Sequence, residues 1–117
     1  MEQRNFTRVN FSAAAAIRCK DQVFLGDIAN VSLQGLFIKT NGKIPLNLPV
    51  DVTVYTYPKI SFHLHADVVR QEWNGLGIRI NKIDMQSFTL LRNVVAMQSD
   101  DHDAIINETF EMSSCIH

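Results

Sequence analysis

The sequence predicts a mainly β domain, a small six-stranded antiparallel barrel with helices packed on one end. Three observations carry this reading. Six short apolar segments lie between residues 12 and 82, each bounded by turn-forming residues. Their close spacing leaves no room for the helical crossovers of a parallel sheet. After Asp84 the apolar period changes from every second residue to every third or fourth, as a helix requires.

Each element follows in order. Ser12 to Cys19, small and apolar, forms the first strand, and Lys20-Asp21-Gln22 turns into the second, Val23 to Ala29. Leu36-Phe37-Ile38 is a short third strand between Gly35 and the turn Thr40-Asn41-Gly42. Pro45 and Pro49 bracket a loop. Val50, Val52 and Val54 then alternate with Asp51, Thr53 and Tyr55 in a half-buried fourth strand that Pro58 breaks. In the fifth, Ile60 to Arg70, the residues Ile60, Phe62, Leu64, Ala66 and Val68 share one face. Ser61, His63, His65 and Asp67 share the other. Asn74-Gly75 turns into the last strand, Leu76 to Ile80.

Asp84 is an N-cap for a helix with an apolar stripe of Phe88, Leu91 and Val95 beside Leu90, Val94 and Met97. This helix is expected to cover one open end of the barrel. Asp103 to Met112 sets Ile105, Ile106, Thr109, Phe110 and Met112 along a second. Core packing accounts for both stripes, with a partner surface as the alternative for the second.

At 117 residues the chain is read as a single domain. Its net charge of -1 argues against a general binder of DNA or RNA, so any anion site must be a local concentration of arginine. No apolar run approaches the roughly 18 to 20 residues of a membrane span. Residues 1 to 11 lack the apolar core of a signal peptide, and Cys19 with Cys115 makes no disulfide framework. A cytoplasmic protein with two reduced thiols is expected. His63 and His65 lie on one strand face, but with only Asp67 nearby they make a poor metal site. Nucleophile-elbow, phosphate-loop and paired-carboxylate patterns are missing, so the chain reads as a receptor with no catalytic residues and no cofactor.

Two motifs remain. Arg4-Asn5-Phe6-Thr7-Arg8 places two guanidinium groups four positions apart, ahead of the first strand. Asn30-Val31-Ser32-Leu33-Gln34-Gly35 then places an amide, a hydroxyl and a glycine beside an apolar run. Paired arginines can hold phosphates through two parallel hydrogen bonds and lay their flat faces on a purine. Asn and Ser can read a base edge, and glycine admits close backbone approach.

In this order, and followed by a barrel and a helix, the two motifs resemble those of the PilZ domain, the bacterial receptor for cyclic di-GMP. The resemblance covers roughly residues 3 to 97, including a final strand Gly75-Leu76-Gly77-Ile78-Arg79-Ile80. It implies that residues 1–11 form a flexible segment closing over the ligand, that 12–82 form the barrel and that 84–112 form the helices. Arg4 and Arg8 would donate to phosphate or to the guanine O6 and N7 edge. Asn30 and Ser32, two apart and so on one strand face, would hold the ligand from the barrel, with Gly35 behind them. Arg70 and Trp73 are weaker candidates, the latter as a stacking platform or as a half-buried plug for the barrel end.

The family also places an arginine before its first motif arginine where a stacked pair of ligands is bound. Here that residue is Gln3, and Asn5 adds no charge, which favours one ligand per chain. With no output domain in the sequence given, a receptor would signal through a protein partner. Two other readings compete: an adaptor that binds only proteins, and an enzyme acting on a cyclic dinucleotide through His63, His65 and Asp67.

Overall fold

The computed structural model describes residues 6–56 and 59–117. Six strands form a closed antiparallel barrel in the order β1-β2-β3-β6-β5-β4. They are β1 (Val9–Cys19), β2 (Gln22–Val31), β3 (Gly35–Lys39), β4 (Pro49–Thr56), β5 (Ile60–Glu72) and β6 (Gly75–Ile83). Two helices follow, α1 (Met85–Gln98) and α2 (His102–Glu111). The expected fold class is therefore the observed one.

Strand alternation builds the core. Ala15, Ile17 and Cys19 of β1, Val50, Val52 and Val54 of β4, and Phe62, Leu64, Ala66 and Val68 of β5 point inward and are buried. Leu76, Ile78 and Ile80 of β6 face them. Phe88, Leu91 and Val95 of α1 join the same cluster and close the barrel on the side of β5 and β1. Asp84 caps α1 as expected, accepting from the Ser87 backbone N–H at 2.6 Å, and the Ser87 hydroxyl accepts from the His63 N–H at 2.9 Å. That second bond ties the helix start to β5.

Several boundaries differ from the sequence expectation. β1 begins at Val9 rather than Ser12, because Val9 and Asn10 pair with Val31 and Asn30. Residues 9 to 11, expected in a flexible segment, are therefore strand. Ahead of them Phe6 is partly buried and packs against the core. The β5–β6 loop is Trp73-Asn74, one residue earlier than expected, since Glu72 pairs with Gly75. Met97 leaves the α1 stripe and is exposed, as are Ile106 and Phe110 on α2, while Ile105 and Met112 are buried. The strand break at Pro58 lies outside the described residues.

Irregularities in strand pairing decide which residues face out and which stay in the core. A register shift between Ile28 and Asn30 changes the alternation, so Ile28 and Val31 both point inward and Asn30 turns outward. A second, between Val68 and Arg70, does the same for Arg70. Without them, two-residue periodicity would send both polar side chains into the barrel. Another, between His65 and Ala66, restores Ile83 to the core.

Candidate functional site

The register brings one row of residues together across five strands. Asn10 of β1 pairs with Asn30 of β2, Asn30 with Phe37 of β3, Phe37 with Gly77 of β6, and Gly77 with Arg70 of β5. Leu36 and Ile38 point inward, so Phe37 between them faces out and lies outside the core cluster, although it is only 8% exposed. Arg70 lies over it, with its guanidinium carbon 5.7 Å from the ring centre. Such a placement is attractive because the ring face is negative.

Gly77 makes that route possible. A Cβ there would come within 3.2 Å of the Arg70 Cβ and 3.5 Å of its Nε. The bare backbone of β6 is thus the floor over which Arg70 reaches Phe37. Glu72 accepts from the Arg70 Nε at 2.6 Å and fixes the side chain from its other edge.

Arg8 meets the row from the amino-terminal side. Its Nη1 donates to Asn30 Oδ1 at 2.5 Å, joining residues 22 positions apart. Partial desolvation, and after it the positive charge of Arg70, push the Arg8 guanidinium below its ordinary pKa. Arginine nonetheless stays protonated at neutral pH. The face therefore holds two cations close enough to repel, an amide with donor and acceptor capacity, and an aromatic ring. An anion with a flat heterocycle satisfies all three at once.

The remaining sequence candidates fall elsewhere. Arg4, Gln3 and Asn5 lie outside the described residues. Ser32 does not share a face with Asn30: β2 ends at Val31, and Ser32 is fully buried. Its hydroxyl oxygen accepts from the backbone N–H groups of Gln34 and Gly35 at 3.2 and 3.1 Å, shaping the β2–β3 turn. Gly35 is also buried, and its need for a missing side chain comes from β6: a Cβ would overlap the Ile78 carbonyl oxygen. Both residues hold the loop that follows Asn30. Trp73 is 88% exposed, which overturns its reading as a half-buried plug.

Phe37 and Gly77 are the residues that sequence reasoning missed. In the sequence Phe37 is one residue of an apolar run. The available signal was its central position in Leu36-Phe37-Ile38, which puts it on the opposite face from its neighbours. The face bearing His63, His65 and Asp67 has its own cross-strand partners. The His63 ring bonds to the Thr53 hydroxyl, the His65 ring to the Asp51 carboxylate, and Asp67 accepts from Asn81. Among the described residues no three His, Cys, Asp or Glu are grouped to hold a metal ion.

The strands define a small closed antiparallel β-barrel, and comparison with known proteins gives it its family. Residues 2–97 match the PilZ domain, and the chain belongs to that family of cyclic di-GMP-binding domains. Among solved structures it is similar to the Bacillus subtilis inhibitor of motility MotI/DgrA, with a TM-score of 0.69 and 11% identity. That match covers 83% of this chain and 51% of the other, so the chain spans about half the length of the Bacillus protein. It is also similar to the PilZ domain of CeSA from a cellulose-synthesizing bacterium, with a TM-score of 0.60 and 16% identity, over 75% of this chain and 93% of that one. A comparison with curated proteins returned no match. Among the described residues no helix is long and apolar enough to cross a membrane.

Proposed function

We propose that this chain is a cyclic di-GMP receptor whose ligand lies across Arg8, Asn30, Phe37 and Arg70, and which signals by changing what it binds. The observation that carries the reading is that Arg8, bonded to Asn30, comes within electrostatic reach of Arg70, which lies over the ring of Phe37, the residue that Asn30 pairs with. Membership of the PilZ family supplies the ligand class.

In this reading Arg8 and Arg70 neutralise the phosphates, and Asn30 offers its amide to a guanine edge. A guanine displaces Arg70 from Phe37 or stacks upon it, exchanging one planar contact for another. Arg4 completes the arginine pair. Ser32 and Gly35 act indirectly, by fixing the turn beyond Asn30. Trp73, exposed on the β5–β6 loop next to Glu72, is a further stacking surface. The ligand is taken up one per chain, since neither Gln3 nor Asn5 adds the charge that a stacked pair would need.

Calorimetric titration with cyclic di-GMP, against GMP and the linear dinucleotide as controls, tests this directly. Saturable binding of the cyclic form at one equivalent is expected. Absence of heat and of any thermal stabilisation at millimolar ligand would refute the reading and leave the protein-only adaptor.

A further inference from the structure

The family match ends at residue 97, yet the helix beyond it holds the arginine-bearing segment in place. Ile105 and Glu108 of α2 and Met112 at its C-cap follow one another at helical spacing, and all three are buried. Glu108 is a carboxylate in an otherwise apolar stripe, only 5% exposed, and a buried carboxylate needs donors. It finds them 101 positions away. Thr7 donates its backbone N–H to one carboxylate oxygen at 3.0 Å and its hydroxyl to the other at 2.7 Å.

Thr7 sits between Phe6, which packs against the core, and Arg8, which reaches Asn30. Three consecutive residues thus take three different anchors. A two-point grip at Thr7 fixes both position and rotation of the backbone, and so the direction in which Arg8 leaves it. The gripping element is itself rigid. Asp101 caps α2 by accepting from the Ala104 N–H at 3.0 Å, and Ile105 and Met112 enter the core. After α2 the chain returns to the barrel, where the His117 N–H donates to the Ile83 carbonyl at 3.0 Å.

We propose that Glu108 is a positioning residue for the ligand site: it holds Thr7 so that Arg8 stands over Asn30, and through that grip α2 responds to site occupancy. The proposal rests on the reading of the Arg8–Asn30–Arg70 face as the cyclic di-GMP site. Preorganisation of a ligand-holding side chain shows as affinity, because the ordering is done before binding. The reverse follows by linkage: a ligand that fixes Arg8 also stabilises the Thr7–Glu108 grip, and so α2.

Hydrogen exchange and calorimetry on the full chain test this together. In the ligand-free protein, Glu108→Ala is expected to speed amide exchange at residues 7 to 9, a readout that needs no ligand. With cyclic di-GMP the same variant is expected to bind roughly two- to tenfold more weakly. Ligand should slow exchange across residues 102–111 in the wild type and not in Glu108→Ala. Glu108→Gln, whose amide oxygen can still accept from the Thr7 N–H, should recover part of the affinity. Thr7→Val removes the hydroxyl contact alone and serves if Glu108→Ala does not fold. Wild-type affinity in Glu108→Ala or Thr7→Val, or an α2 response that persists without Glu108, would overturn the proposal. If exchange at residues 7 to 9 rises as expected but the wild type binds no cyclic di-GMP, the receptor reading fails and takes the positioning role with it.

Discussion

Replacing Arg8 with alanine separates ligand recognition from folding more cleanly than any other change at the site. Arg8 donates to Asn30 through one N–H at 2.5 Å, which leaves the rest of the guanidinium fork for a ligand. Removing one charge-assisted contact costs about 1.5–3 kcal/mol, or roughly ten- to 150-fold in affinity. The fold should hardly notice. Arg8 precedes β1, its Asn30 contact is exposed, and its charge opposes that of Arg70. Stability should stay within about 0.5 kcal/mol of the wild type. Arg8→Lys keeps the charge but loses the planar fork, and should fall between the two. The assay is calorimetry with cyclic di-GMP on protein whose thermal unfolding has been checked. Wild-type affinity in Arg8→Ala would refute the site, and a large loss of stability would refute the claim that Arg8 is there for a ligand.

Three other outcomes follow from the same geometry. Gly35→Ala should destabilise the protein by about 2 kcal/mol or more, because its Cβ meets backbone of β6 that cannot swing aside, and the unfolding midpoint should fall by roughly 8 °C or more. Phe37→Ala should cost less than the about 3–5 kcal/mol of a barrel-interior phenylalanine, yet weaken cyclic di-GMP binding, since the ring supports Arg70 from outside the core; calorimetry with thermal unfolding reads both. Trp73 is the one tryptophan, so its fluorescence should be freely quenched by acrylamide in the ligand-free protein, and Trp73→Ala should leave stability within about 0.5 kcal/mol.

The barrel was legible because inward-facing residues at every second position leave a plain trace in β4 and β5, and turn residues mark the gaps. The helix start was legible because Asp84 can cap the backbone only from the position it occupies. The site was half legible. Arg8 and Asn30 belong to short motifs whose chemistry shows in their residue types, and the structure brings them together. Arg70 is legible only as a weaker candidate beside a turn, and Phe37 only as part of an apolar run, because the same alternation that reveals a barrel conceals its bulges. A bulge adds one residue to one strand without any compositional mark, and everything beyond it changes face.

That concealment has a physical logic. The outward-facing polar side chains of the candidate site lie in segments whose neighbours must face the core, and strict alternation cannot serve both demands at Asn30 and Arg70. The extra residue in the strand resolves the conflict: it keeps Ile28, Val31 and Val68 inside while turning Asn30 and Arg70 out. Thr7 and Glu108 were illegible for a different reason. Their contact joins opposite ends of the chain, and nothing local distinguishes a buried glutamate from a solvated one on a helix rich in acids. Long-range pairing of this kind is a property of the closed barrel, which carries the amino-terminal segment and α2 to the same place. The site is accordingly an assembly of outward turns and terminal contacts, while the strands between them keep their side chains for the core.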